Sequence, residues 1–221
     1  MTTMIADTKV ALDTDADNDI ARIAHLLKSE RFYRDTARWQ LCRLSFHPDE
    51  SKTYINVSWY QGQADDFLKQ SSKMHKDRVN VIHSSFDPVG ICVQGDRATS
   101  EAFCTVTSEI TIDGVGYELA SHMRLLNRLE KSEEGRWHIL SMEAIYVRDR
   151  LMSTLPGAPI TLRPDLVKQS EEYPGGYRRL ALVMLYRGLN PRQDLPHEED
   201  QPRVRRLLEA NRNFLNGGGD K

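Results

Sequence analysis

Cysteine is scarce in this chain of 221 residues: Cys42, Cys92 and Cys104 are all there are, and none lies in a CxxC spacing. Three thiols cannot all pair, so a disulfide framework is not expected, and reduced thiols in the cytoplasm are the simple reading. Long hydrophobic runs are missing too. No stretch approaches the ~18 consecutive apolar residues of a membrane helix, and the opening "MTTMIADTKVALDTDADND" has neither a basic nor an apolar leader region. A soluble, cytoplasmic protein is therefore expected. Nor is there an excess of charge: Lys plus Arg number 30 against 32 Asp plus Glu, a formal net charge of −2. That balance gives no electrostatic reason to expect nucleic acid or an anionic membrane as partner. The one basic cluster, "RVRR" at 203–206, falls on an amphipathic pattern and reads as a solvated helix face.

Several catalytic signatures are also lacking. The sequence has no HExxH, GxGxxG, GxxxxGK[ST] or GxSxG, and no cluster of His, Asp and Glu with metal-ligand spacing. No cofactor and no metal are expected. If the chain is an enzyme, its own side chains supply the acid and the base.

What is present divides by period. Residues 1–16 read as a flexible arm. From Asp17, Ile20, Ile23, Ala24 and Leu27 recur at helical spacing after an Asp/Asn-rich start suited to capping, and one or two helices run to about Phe46. "TYINVSWY" reads as a strand, and Ala64, Phe67, Leu68 and Met74 mark another helix. Long alternating runs follow, separated by Gln94-Gly95-Asp96, Asp113-Gly114 and Glu134-Gly135, where glycine tolerates the positive φ of a tight hairpin. Helices first and antiparallel strands after predict an α+β domain over 17–152, with helices on one face of a curved sheet. Beyond it, 153–221 reads as a loop and two helices, the first closed by Gly188. Leu180, Val183, Met184 and Leu189 are too apolar for a lone solvated helix, so this extension should pack on the core or on a second subunit.

One histidine stands out. His83 sits inside the β-like run "VNVIHSSF", where it is either a core histidine bonded to backbone or a base.

Two stretches carry a family resemblance. "ERFYRDTARWQLCRLSFHPD" at 30–49 resembles the first-helix signature of SnoaL-like members of the nuclear-transport-factor-2-like (NTF2-like) superfamily, and "LLNRLEKSEEGRWHIL" at 125–140 resembles their closing hairpin, with Asn127 where that strand often carries aspartate. The resemblance spans about residues 17–150. It implies a cone-shaped α+β fold, a curved antiparallel sheet wrapped by helices around a deep apolar pocket. It also implies, in the dehydratase and dehydrochlorinase branches, a histidine on the strand after the third helix oriented by an aspartate near the end of the first. Those positions fall on His83 and Asp35. The chemistry is coherent: an imidazole accepts a proton only through a free ring nitrogen, and a carboxylate on the other nitrogen fixes that tautomer.

Around this pair the candidate substrate-binding residues are Tyr33, Arg38 and Trp39 from the first helical region, Tyr54 and Trp59 from the first strand, and His122 and Arg124 from a long strand. On that strand, period two puts Ala120, His122, Arg124 and Leu126 on one face and Ser121, Met123, Leu125 and Asn127 on the other. The implied activity is cofactor-independent acid–base catalysis on a small hydrophobic aromatic substrate. The specific form taken from the resemblance is a lyase that releases formaldehyde from a lignin-derived diarylpropane to leave a stilbene. The alternatives are a dehydratase, isomerase or cyclase acting on a polyketide or steroid-like ring, and a non-catalytic binding or assembly module. A homodimer is expected through the sheet face turned away from the pocket.

Overall fold

A computed structural model describes the backbone of residues 14–76, 81–155, 157 and 162–218, and side chains from Asp17 onward. The arm expected over 1–16 lies largely outside the described residues; helix α1 runs Thr14–Asp35. Its inward stripe begins apolar, with Ile23 and Leu27 buried as their spacing predicts, while Ile20 is partly exposed. One turn on, the same face becomes charged: Glu30, Arg31 and Arg34 are 2%, 6% and 7% exposed. The helix stops where Ala37 adopts φ 57°, a left-handed conformation that costs a residue with a Cβ roughly 1–2 kcal/mol. A short helix α2, Trp39–Leu44, restarts in a new direction.

Strands β1 (Tyr54–Val57) and β2 (Tyr60–Gly62) form an edge hairpin, and helix α3 (Ala64–Lys76) follows. Short strands β3 (Val81–Ser84) and β4 (Gly90–Gln94) both pair with β5 (Arg97–Ile112), at different ends of it. Strands β6 (Val115–Lys131) and β7 (Trp137–Ser153) complete a seven-stranded sheet ordered β2-β1-β7-β6-β5-β3. The pairing is antiparallel except between β1 and β7, which run parallel. Asp113 and Gly114 turn β5 into β6 with both φ values positive, 51° and 82°, as a two-residue type I′ turn requires. Register shifts between His122 and Met123 and between Arg128 and Leu129 bend β6 against β7, so the sheet curves without closing. Asp19 ties the start of α1 to the last hairpin, accepting from Trp137 Nε1 at 3.0 Å and from Lys131 Nζ at 2.8 Å.

The C-terminal residues fold onto this core on both sides. Helices α4 (Pro164–Ser170) and α5 (Arg178–Tyr186) lie at the open end of the curved sheet, and Asp149 of β7 accepts from the amide of Leu180 at 2.6 Å near the start of α5. Residues 196–198 bond the backbone of Tyr146 from both directions. Helix α6 (Gln201–Leu215) takes the outer face, where Val204 packs with Leu126 and Ile145. Arg128 donates to Asn211 and Arg97 to the carbonyl of Phe214, at 2.8 and 2.9 Å. Part of the sheet face expected to serve a homodimer is thus occupied by the chain's own last helix. None of the described helices is long and apolar enough to cross a membrane.

Candidate active site

Between the concave face of the sheet and helices α1, α3 and α5 lies a cavity of about 160 Å³. Its walls are mainly apolar. Trp59 stacks on Phe67 at 5.3 Å between ring centroids, and Trp39 meets His75 edge-on at 5.9 Å. Met123 and Leu125 of β6 form the floor, and Leu180, Val183 and Met184 of α5 close one side. Arg187 and Leu189, just past α5, mark the mouth, which continues into a second, more polar cleft beside the β5–β6 turn.

His83 and Asp35 meet in this cavity. The imidazole Nδ1 is 2.8 Å from Asp35 Oδ1, and the other carboxylate oxygen accepts from the His83 backbone amide at 2.7 Å. The carboxylate therefore grips ring and main chain together, which fixes the rotamer of the histidine. Arg31 Nη1 lies 3.3 Å from Nε2. A guanidinium only donates, so Nε2 is the accepting nitrogen and Nδ1 carries the hydrogen given to Asp35. Burial, and the charges of Arg31 and Arg34, push the imidazole down to about 4 against the pull of Asp35. Burial alone would raise the Asp35 carboxyl, but the bonds from His83 and the charge of Arg31 outweigh it and hold it below the usual range. At neutral pH this is a neutral imidazole hydrogen-bonded to a carboxylate, the arrangement in which Nε2 keeps its lone pair.

Arg31 does not stand out in the sequence. Arg34, beside Asp35 and at i, i+4 from Arg38, reads there as an arginine able to face inward, with Arg38 preferred as the candidate. The stripe Ile23, Leu27, Arg31, Arg34 nevertheless continues the helical period. Counting only apolar residues along that face hides them. Glu30 neutralises Arg31 through Nε and keeps it charged despite burial. Burial and the neighbouring Arg31 lower the Arg34 guanidinium, whose Nη1 is 3.6 Å from Asp35. Burial pushes the Cys42 thiol up, and the Cys104 thiol up to about 12, so neither is a thiolate nucleophile. Among the described residues, no three His, Cys, Asp or Glu side chains are grouped to hold a metal.

Three residues of the cavity wall carry unpaired polar atoms. Arg34 Nε, Ser71 Oγ and Ser121 Oγ are buried without a hydrogen-bond partner, and all three residues line the cavity. A buried unsatisfied polar group costs about 1–3 kcal/mol, so each of the three calls for a physical reason. Tyr146 is fully engaged instead: its hydroxyl accepts from the Ser58 amide at 2.8 Å and braces the β1–β2 turn that carries Trp59.

Of the other sequence candidates, Trp39 and Trp59 line the cavity and five residues do not. Tyr33 packs half-buried against the core. Arg38 is exposed over the ring of Phe32, because the break at Ala37 turns it away from the face of Arg34. Tyr54 lies at the sheet's edge and accepts from Gln61 at 2.9 Å. His122 and Arg124 are on the outer face, the histidine with Thr105 and the arginine between Glu101 and Glu198. The alternation along β6 is as read, but its inner set is Leu119, Ser121, Met123 and Leu125. Asn127 is buried and donates to Ser100 Oγ at 3.1 Å, a bond between strands.

The SnoaL-like domain family matches residues 16–143, more than half of the chain, and the protein belongs to that family. No curated protein matches it. Among solved structures it is similar to an NTF2-like protein with a cystatin-like fold from Novosphingobium aromaticivorans, at 16% identity and TM-score 0.47, covering 64% of this chain and 90% of that one. A protein of the same organism, assigned provisionally as a scytalone dehydratase, is 13% identical with TM-score 0.49, covering 68% and 99%. A protein of unknown function from Mycobacterium tuberculosis is 17% identical with TM-score 0.48, covering 84% and 98%. The family's fold covers cofactor-free lyases, dehydratases and isomerases.

Proposed function

We propose that this chain is a cofactor-independent lyase in which His83 is the base and Asp35 fixes its tautomer. The observation that carries the reading is the 2.8 Å contact between Asp35 and Nδ1, which leaves Nε2 as the proton acceptor inside a largely apolar, enclosed space. The substrate is small and aromatic, seated among Trp39, Trp59 and Phe67, with an oxygen substituent at the unpaired donors of Arg34, Ser71 and Ser121.

For a diarylpropane carrying a benzylic hydroxyl and a hydroxymethyl group, the chemistry closes without a redox partner. The benzylic C–O bond breaks, His83 takes the hydroxymethyl O–H proton, and the C–C bond to that carbon breaks. Its electron pair enters the new double bond. Formaldehyde leaves, and the proton taken up by His83 departs in the water formed from the benzylic hydroxyl. The sum is one stilbene, one formaldehyde and one water.

Incubating such diols with the protein and no added cofactor should yield a stilbene chromophore and formaldehyde in equal amounts. Loss of water with retention of the hydroxymethyl carbon would make the enzyme a dehydratase instead. Replacing His83 by Ala should lower turnover about a hundredfold or more. Unchanged turnover in a folded His83→Ala protein would return the residue to the core.

A further inference from the structure

The lone pair on which that reading depends already has a donor within the chain. Arg31 Nη1 holds Nε2 of His83 at 3.3 Å, long for a hydrogen bond from a charged donor. The guanidinium arrives with its own counter-charge. Glu30, its neighbour in the chain, bonds Arg31 Nε, and Cys42 Sγ donates to Glu30 Oε1 at 3.5 Å. Arg31 Nη2 is also ion-paired with Glu30, without the direction of a hydrogen bond. An ion pair this deeply buried costs several kcal/mol per ion before pairing recovers it, so solvation does not explain its position.

Helix α1 brings charges of both signs to the imidazole. Arg31 and Arg34 face Glu30 and Asp35, all from α1; the other titratable groups nearby are Cys42 of α2, Cys104 of β5, His75 of α3 and Arg187 beyond α5. On α1 the two cations and two carboxylates balance while His83 is neutral, and Arg187 adds a third cation to the cavity wall. An incoming anion meets two guanidinium groups, and Arg34 Nε has no hydrogen-bond partner.

We propose that Arg31 is a displaceable cap on the base: its guanidinium occupies Nε2 until an anionic oxygen of the substrate, a carboxylate or phenolate, draws it away. The exchange is downhill because a guanidinium–oxyanion bond, with both partners ionised and a length of about 2.7–2.9 Å, is stronger than a 3.3 Å contact from the same guanidinium to a neutral imidazole. The lone pair is then free only when such a substrate is present. A diarylpropane diol meets the requirement through a phenolate or carboxylate on one ring. Neutral aromatic compounds enter the same cavity and leave the base capped, so the discrimination falls on kcat more than on KM. This inference rests on His83 being the base.

The test is an imidazole titration of the full-length protein labelled with nitrogen-15, with trans-cinnamate and cinnamyl alcohol as probes. In the free protein, His83 should be neutral, protonated on Nδ1 and titrating well below 6.5. Saturating cinnamate should raise its midpoint by about one unit or more, since it removes a cation and adds an anion, and cinnamyl alcohol should leave it in place. Arg31→Gln should raise the midpoint without ligand and abolish the cinnamate response. The double variant Glu30→Gln/Arg31→Gln keeps the charge balance and serves the same purpose if the single variant does not fold, and the wild-type titration decides the matter if neither does. Failure of cinnamate to bind, an equal response to cinnamyl alcohol, or an unmoved midpoint would each overturn the cap. None of these readouts uses turnover, so they are separate from a fully active His83→Ala protein, which would remove the base itself.

Discussion

The two faces of β6 put similar residue types to opposite use. Outward, His122 pairs with Thr105, Arg124 joins Glu101 to Glu198, and Arg128 reaches Asn211 of α6. Every one of those polar groups is met by the chain itself. Inward, Ser121 stands between Leu119 and Met123 with its hydroxyl buried and unpartnered, across the cavity from a guanidinium in the same condition. The outer face is finished, whereas the inner face keeps donors in reserve.

Substitutions can break that contrast. The largest effect should come from Asp35→Asn, which removes the acceptor that fixes Nδ1–H: turnover should fall about a hundredfold or more, with the fold retained by circular dichroism. Full activity in that variant would separate the carboxylate from the chemistry. Next is pH. The folded-state value of His83 is about 4, below its ordinary 6.5. The acid limb of kcat/KM for the free enzyme should accordingly lie near 4, and a limb at 6.5 would mean an imidazole open to water. The same shift has a stability consequence. The unfolded chain takes up the proton first, so the contribution is intact above 6.5 and is lost as pH falls from there towards 4, on the order of 3 kcal/mol in all. A urea titration at pH 7 and pH 4.5, wild type against His83→Gln, measures it.

Smaller effects belong to the outer face. Arg124→Ala should leave kcat and KM within about twofold while lowering unfolding free energy by roughly 1 kcal/mol, since a partly exposed pair is worth little more. A large loss of activity would place that residue at the site after all. Smallest of all, Ser121→Ala should change stability by less than about 0.5 kcal/mol, because the hydroxyl makes no bond that could be lost. Its KM for an oxygenated substrate should nevertheless rise, and a KM equal to wild type would mean the hydroxyl does not bind substrate.

Much of the architecture was legible because it is written in period. The positive-φ turn at Asp113-Gly114, the alternation on β6 and the α5 stretch ending at Gly188 all follow from local rules that tertiary packing did not override. The placing of His83 against Asp35 needed more, since no periodicity connects positions 48 apart, and it came from resemblance. What failed failed for identifiable reasons. Period two divides a strand into two faces without saying which is inner, so His122 and Arg124 went to the wrong side. Helical spacing from Arg34 to Arg38 assumes an unbroken helix, and an alanine at φ 57° gives no warning of the break. Charged residues on an otherwise apolar stripe read as its end, when at Glu30 and Arg31 they were its continuation into the cavity.

The last helix bears on assembly. Two copies meeting back to back across their sheets would have to evict α6 from the strip formed by Leu126 and Ile145. A tethered segment competes at an effective concentration of millimolar order, far above that of a free second copy. The chain therefore carries an internal rival for that meeting place, and shortening it before Gln201 should bare a sticky ribbon that the intact molecule keeps to itself.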